Sequence, residues 1–135
     1  MAAWRSEQGT ISAFVAVLAI ALIVTAGLAY DGGAIITATA NAHDIAAGAA
    51  RAGAQHLDPA AVHAGQPRLD PAAAIAAVDA VVDAAGMDAQ TTIEGPTVTV
   101  TVTTRQPMRL LPLPDRPIAA TVSSTAVSDV LGDPP

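Results

Sequence analysis

The sequence predicts an α+β protein: a long N-terminal transmembrane helix that continues into an extracytoplasmic helix, packed with a second helix on a small antiparallel sheet. Three observations carry this expectation. From Gly9 to Tyr30 the chain has no charged residue. Over residues 34–57 and 71–85 the apolar residues recur at helical spacing. Beyond Gly86 the period changes to two, most plainly in Thr97–Thr104, which reads TVTVTVTT.

The first element is the apolar run. Ile11–Tyr30 reads ISAFVAVLAIALIVTAGLAY. At about 1.5 Å per residue this segment spans about 30 Å, the thickness of a hydrocarbon core. Phe14–Leu28 forms its center. Arg5 precedes the run, whereas Asp31 follows it and the next basic residue is Arg51. That bias favors a cytoplasmic N-terminus and an exported C-terminus. The expected division is a leader over 1–9, a transmembrane helix over 10–30 and a small extracytoplasmic domain over 31–135, giving a single-pass protein of the cell membrane. A cleaved secretory signal competes with this reading. Gly27-Leu28-Ala29 places small residues at −3 and −1 of a cut before Tyr30. Against a cut, the run is longer than a signal-peptide core and the helical pattern continues beyond it.

Composition limits what the exported part can be. The chain is 52% hydrophobic but only 2% aromatic, and its three aromatics, Trp4, Phe14 and Tyr30, all lie in or before the apolar run. A domain core must therefore come from Ala, Val, Ile, Leu and Met, which bury little area each and make it thin. There is no cysteine, which excludes disulfides and thiolate metal sites. Of 12 acidic residues only Glu7 precedes the run, and of 6 arginines only Arg5. The remainder is thus strongly acidic, which argues against nucleic-acid binding.

Along 34–57, Thr37, Asn41, Asp44, Gly48, Arg51 and Gln55 share one helical face, and the opposite face carries Ile35, Ala38, Ala42, Ala46, Ala49, Gly53 and Leu57. Small residues at this spacing let another backbone approach closely. Ala42, Ala46, Ala49 and Gly53 are the candidate helix-packing residues, toward either the chain's own domain or a neighboring subunit. Gly32-Gly33 is expected to loosen or kink the helix where it leaves the bilayer.

Leu57-Asp58-Pro59-Ala60-Ala61 and Leu69-Asp70-Pro71-Ala72-Ala73 repeat the same five residues. Each offers Asp as N-cap and Pro as the first helical residue. The first gives a turn of helix before Gly65 and Pro67; the second opens the helix over 71–85. Strands are expected over 90–93, 97–104 and 118–127. The turn Glu94-Gly95-Pro96 joins the first two, and a proline-rich loop over Arg105–Pro117 precedes the third. Val98, Val100 and Val102 should face the core and the alternating threonines solvent. Asp129–Pro135 reads as a frayed tail.

No catalytic constellation stands out. His43, His56 and His63 have no partner at metal-ligand spacing, and no serine sits in a nucleophile-elbow context. Asp79 and Asp83 are one turn apart with no third ligand, as on an acidic solvated face.

A resemblance adds a functional expectation. Arg5-Ser6-Glu7-Gln8-Gly9, the uncharged span and Ala26-Gly27-Leu28-Ala29-Tyr30-Asp31-Gly32-Gly33 resemble the N-terminus of TadE/TadG-like proteins from GC-rich Gram-positive bacteria. The run Ala47–Leu57 is similar to that family's following helix, and the TVTVTVTT strand, proline-containing loop and Ser/Thr-Ala strand are similar to its C-terminal end. The resemblance implies a pseudopilin-like accessory subunit of tight-adherence (Flp, type IVb) pilus assembly or secretion, structural and not catalytic. It also implies no cofactor and no small-molecule substrate. The implied partners are membrane lipid and, through the N-terminal helix, other pilus subunits. Pilin precursors of this kind are cut after a glycine and carry glutamate at the fifth mature position. Gly9 and Thr10 form the candidate processing site, but the fifth residue would then be Phe14, which suits an uncleaved accessory subunit or a capping or priming one. A secreted binding module released by signal cleavage and an unrelated membrane-anchored envelope protein are the alternative classes.

Overall fold

The computed structural model describes residues 5–126 of the chain. The first four residues of the leader, residue 127 at the expected end of the third strand and the expected tail Asp129–Pro135 lie outside the described residues. Three helices and three strands follow in order: α1 (Arg5–Ala54), α2 (Pro59–His63), α3 (Pro71–Ala84), β1 (Asp88–Glu94), β2 (Thr97–Gln106) and β3 (Arg116–Thr125).

The helix α1 runs unbroken for 50 residues. Gly32-Gly33 does not interrupt it, contrary to the expectation of a loosened joint. Each glycine costs about 1 kcal/mol of helix propensity, a small penalty against tertiary contacts on either side of the pair. Asp31 is held by a distant loop. Downstream, α1 buries its small face.

The paired Leu-Asp-Pro-Ala-Ala segments work as helix starts. The Asp58 carboxylate accepts from Ala60 N–H at 2.9 Å and Ala61 N–H at 3.4 Å. Asp70 accepts from Ala72 and Ala73 in the same way, at 3.0 and 3.2 Å. Both prolines stand at the start of their helices, where a missing N–H costs nothing. The two segments also meet: Leu57 and Leu69 form an isolated antiparallel bridge, with Asp58 N–H donating to Arg68 and Asp70 N–H to His56. At its far end α3 stops at Gly86, whose φ of +65° sets a left-handed cap. There Gly86 N–H reaches the Asp83 carbonyl and Met87 N–H that of Val82.

The sheet is antiparallel in the order β1-β2-β3. Glu94 pairs with Thr97 across a two-residue turn. Gly95 has φ +58° and Pro96 a fixed negative φ, the signs of a type II′ turn. Strand β1 is longer than the expected 90–93, and β2 runs on to Gln106, opposite Arg116. Pro117 is accommodated because β3 is an edge strand, where a proline need not break a ladder bond. The proline-rich loop is therefore only residues 107–115.

One face of the sheet is covered by α1, which crosses β2 and β3, and by α3 toward β1. Val98, Val100 and Val102 are fully buried there, as their alternation predicts, against Ala42, Ala46, Ala49, Ala50, Ala74 and Val78. On the other face hydroxyls pair across β2 and β3: Thr97 with Thr125, Thr99 with Ser123 and Thr101 with Thr121, at 2.8–3.0 Å. The largest fully buried side chains are four valines, so the core is as thin as the composition requires.

Candidate membrane anchor

The first half of α1 stands apart from the domain. Every side chain from Ile11 to Ala26 is exposed, including Phe14 at 67%, Leu22 at 63% and Ile23 at 70%. Its most apolar 18-residue window has a mean hydropathy of 2.6 and is 6% buried. This is a helix long and apolar enough to cross a membrane, and its bare apolar surface is of a kind that soluble monomers do not present to water. The hydroxyl of Thr25 donates to the Ala21 carbonyl one turn back at 2.8 Å. That polar group is thereby satisfied within the helix. The candidate processing residues Gly9 and Thr10 lie in the first turns of the same helix.

The candidate packing residues lie elsewhere. Ala42, Ala46 and Ala49 are fully buried, and Gly53 is buried beside them. A methyl group on Gly53 would come within 3.0 Å of Val78 Cγ2 and 3.3 Å of both the Ala74 carbonyl and Val98 Cγ1. The close approach permitted by small residues is thus made to the chain's own α3 and sheet. Within the chain this face is filled. Short connections hold these partners near α1, so intramolecular packing avoids the entropy cost that a second chain would bear.

Where the helix passes from bare to covered, the structure holds an arrangement that the sequence did not foretell. Gly27 and Asp31, one turn apart, are both buried, with Asp31 only 2% exposed. The Asp31 carboxylate accepts three backbone N–H groups from the 107–115 loop: Arg109 at 3.1 Å, Leu110 at 3.1 Å and Leu111 at 2.9 Å. A methyl group on Gly27 would lie 3.3 Å from Leu111 Cδ2 and 3.5 Å from Leu110 Cβ. Glycine there lets the loop rest on the helix while Asp31 holds its backbone. The only local signal was the 27/31 spacing, with Asp31 the first charge after the apolar run.

Among the described residues no group of three or more His, Asp or Glu side chains is placed to hold a metal. Asp79 and Asp83 are exposed on α3, and His63 bonds its Nδ1 to the Pro59 carbonyl within α2. An open crevice of about 600 Å³ between α1 and the sheet is lined by residues such as Tyr30, Thr37, Asn41 and Thr104. Asp58 is the described carboxylate outside the apolar helix with a clearly perturbed environment. The Ala60 N–H holds it below the usual aspartate range, burial opposes this, and the Ala61 N–H and Arg68 guanidinium add to the lowering. This is a capping role. Comparison with family models, curated proteins and solved structures finds no match to this chain.

Proposed function

We propose that the chain is a membrane-anchored, pseudopilin-like accessory subunit of a Tad/Flp (type IVb) pilus assembly or secretion system, structural and not catalytic. The observation that carries the proposal is the division of α1: one continuous helix whose first half is bare and apolar and whose second half is built into a small α+β head. The bare half is free to lie in lipid and then to exchange lipid for the apolar helices of neighboring subunits. That exchange costs little when the apolar surface is covered again. Contacts with other subunits run through residues 11–26, because the face at Ala42, Ala46, Ala49 and Gly53 is filled from within. The N-terminus is cytoplasmic and the head extracytoplasmic, following the Arg5/Asp31 asymmetry.

Retention of the anchor is favored by its contacts with the head. A cut before Tyr30 would remove Gly27 from beneath Leu110 and Leu111 and leave Asp31 as the second residue of the product.

The test has two parts. Carbonate washing should leave the protein in the membrane fraction, and N-terminal sequencing should not begin at Tyr30; a soluble product starting there makes it a secreted module. Photo-crosslinkers at Leu18 and Leu22 should then capture pilus-assembly subunits in cells. Membrane retention with no such capture assigns the chain to the wider class of anchored envelope proteins. A product beginning at Thr10 would show processing after Gly9 and overturn the uncleaved form of the proposal.

A further inference from the structure

The 107–115 loop, Pro-Met-Arg-Leu-Leu-Pro-Leu-Pro-Asp, is unusual for a surface connection. Leu110 and Leu113 are 57% and 56% exposed. The loop is tied to the end of the apolar run: Leu110 and Leu111 rest over Gly27, and Asp31 holds their N–H groups. Gly27 lies three residues inside Tyr30, so at the rise of an α-helix these leucines lie about 5 Å below that residue along the axis. A bilayer that ends at Tyr30 places them at its boundary.

Two further observations say what covers this loop. Irregular backbone at membrane depth must satisfy its polar groups internally, and on the donor side seven of the nine loop residues either give their N–H to a partner within the chain or have no N–H. Pro107, Pro112 and Pro114 have none, Arg109, Leu110 and Leu111 donate to Asp31, and Leu113 donates to the Leu111 carbonyl. The second observation is charge. Arg105, Arg109 and Arg116 flank the leucines and are exposed, and they make up three of the five arginines beyond the apolar run. The one acid between Arg105 and Arg116 is Asp115, in a domain that is otherwise acidic. Exposed leucines bracketed by arginines match an interface with anionic headgroups.

We infer that the 107–115 loop is a second membrane contact, with Leu110 and Leu113 inserted into the leaflet that α1 leaves at Tyr30 and Arg105, Arg109 and Arg116 set against anionic lipid phosphates. The contact pins the head at a fixed height and rotation over the bilayer, because the anchor alone is free to spin about its axis. This inference rests on the anchor part of the proposed function.

The absence of cysteine makes the test direct. Single variants Leu110→Cys and Leu113→Cys carry an environment-sensitive fluorophore in the full-length protein. The protein is reconstituted in phosphatidylcholine vesicles with or without phosphatidylglycerol. Ile20→Cys reports the anchor and Thr92→Cys, exposed on β1, reports water. The loop probes should be quenched by spin-labeled lipid and be several-fold less sensitive to aqueous iodide than the Thr92 probe. Phosphatidylglycerol should deepen the shielding, and Arg109→Gln with Arg116→Gln should remove that gain. Iodide access equal to that at Thr92, with Ile20 still in lipid, overturns the inference and leaves the anchor standing. An Ile20 probe in water overturns both. Shielding from iodide without lipid quenching, lost on dilution into excess lipid, means that a neighboring subunit covers the loop and also overturns the inference.

Discussion

Replacing Gly53 with alanine sets helix propensity against packing, and the structure decides the sign. In a helix interior Gly→Ala gains about 0.5–1 kcal/mol, and less near a C-terminus such as Ala54. The new methyl, however, meets Val78 Cγ2 at 3.0 Å and the Ala74 carbonyl and Val98 Cγ1 at 3.3 Å. Val78 and Val98 are fully buried and the carbonyl belongs to helix backbone, so none of the three has solvent to move into. Overpacking a filled core costs about 1–3 kcal/mol, which exceeds the propensity gain. Gly48 is the internal control: it lies in the same helix, and a methyl there meets nothing within 4 Å. Thermal unfolding of the full chain in detergent micelles, followed by pulse proteolysis of the head, reads both variants. For a domain of this size 1 kcal/mol corresponds to about 4–8 °C in Tm. Gly48→Ala should raise Tm by a few degrees and Gly53→Ala should lower it by several. A Gly53→Ala protein as stable as Gly48→Ala would refute the intramolecular packing of this face.

Asp31→Asn should release the 107–115 loop, since the amide nitrogen opposes N–H groups that the carboxylate accepts; limited trypsin digestion should then cut at Arg109–Leu110 well before wild type, and equal cutting rates would count against the clamp. Val100→Asp buries an unpaired carboxylate at a fully buried position and forfeits about 1.5–3 kcal/mol of valine burial as well. The head should become protease-sensitive, whereas Thr101→Asp, on the hydroxyl-paired face, should remain resistant; equal sensitivity would place the faces wrongly. For Asp58 the folded pKa is lowered, so its stabilization is complete at neutral pH, above the ordinary value of about 4, and is lost as pH falls through the lowered folded value. The Tm gap between wild type and Asp58→Ala should accordingly narrow below about pH 4, and a gap constant from neutral pH into the acid range would remove the capping account.

Elements set by nearest neighbors were legible. The apolar run needed only its composition, β2 only its strict alternation, and α2 and α3 only the Asp-Pro pairs at their starts. The small face of α1 was legible as a packing face but not as to its partner, because small residues specify closeness and not identity. Strand ends were less legible, as pairing opposite Arg116 and Pro117 prolonged β2 beyond its alternating segment.

Residue type and spacing within a turn or two thus determined that this chain has an apolar helix, a thin Ala/Val core and a threonine-faced sheet. Those properties depend on side-chain chemistry and local period, which any short window of sequence contains. Tertiary structure alone decided that the helix continues through Gly32-Gly33, that Gly53 sits against Val78 and Val98, and that Asp31 holds a loop 78–80 residues away. A carboxylate can accept hydrogen bonds from any free N–H groups. Which ones it meets is set by how the hairpin places the 107–115 loop over the last turn of the apolar run.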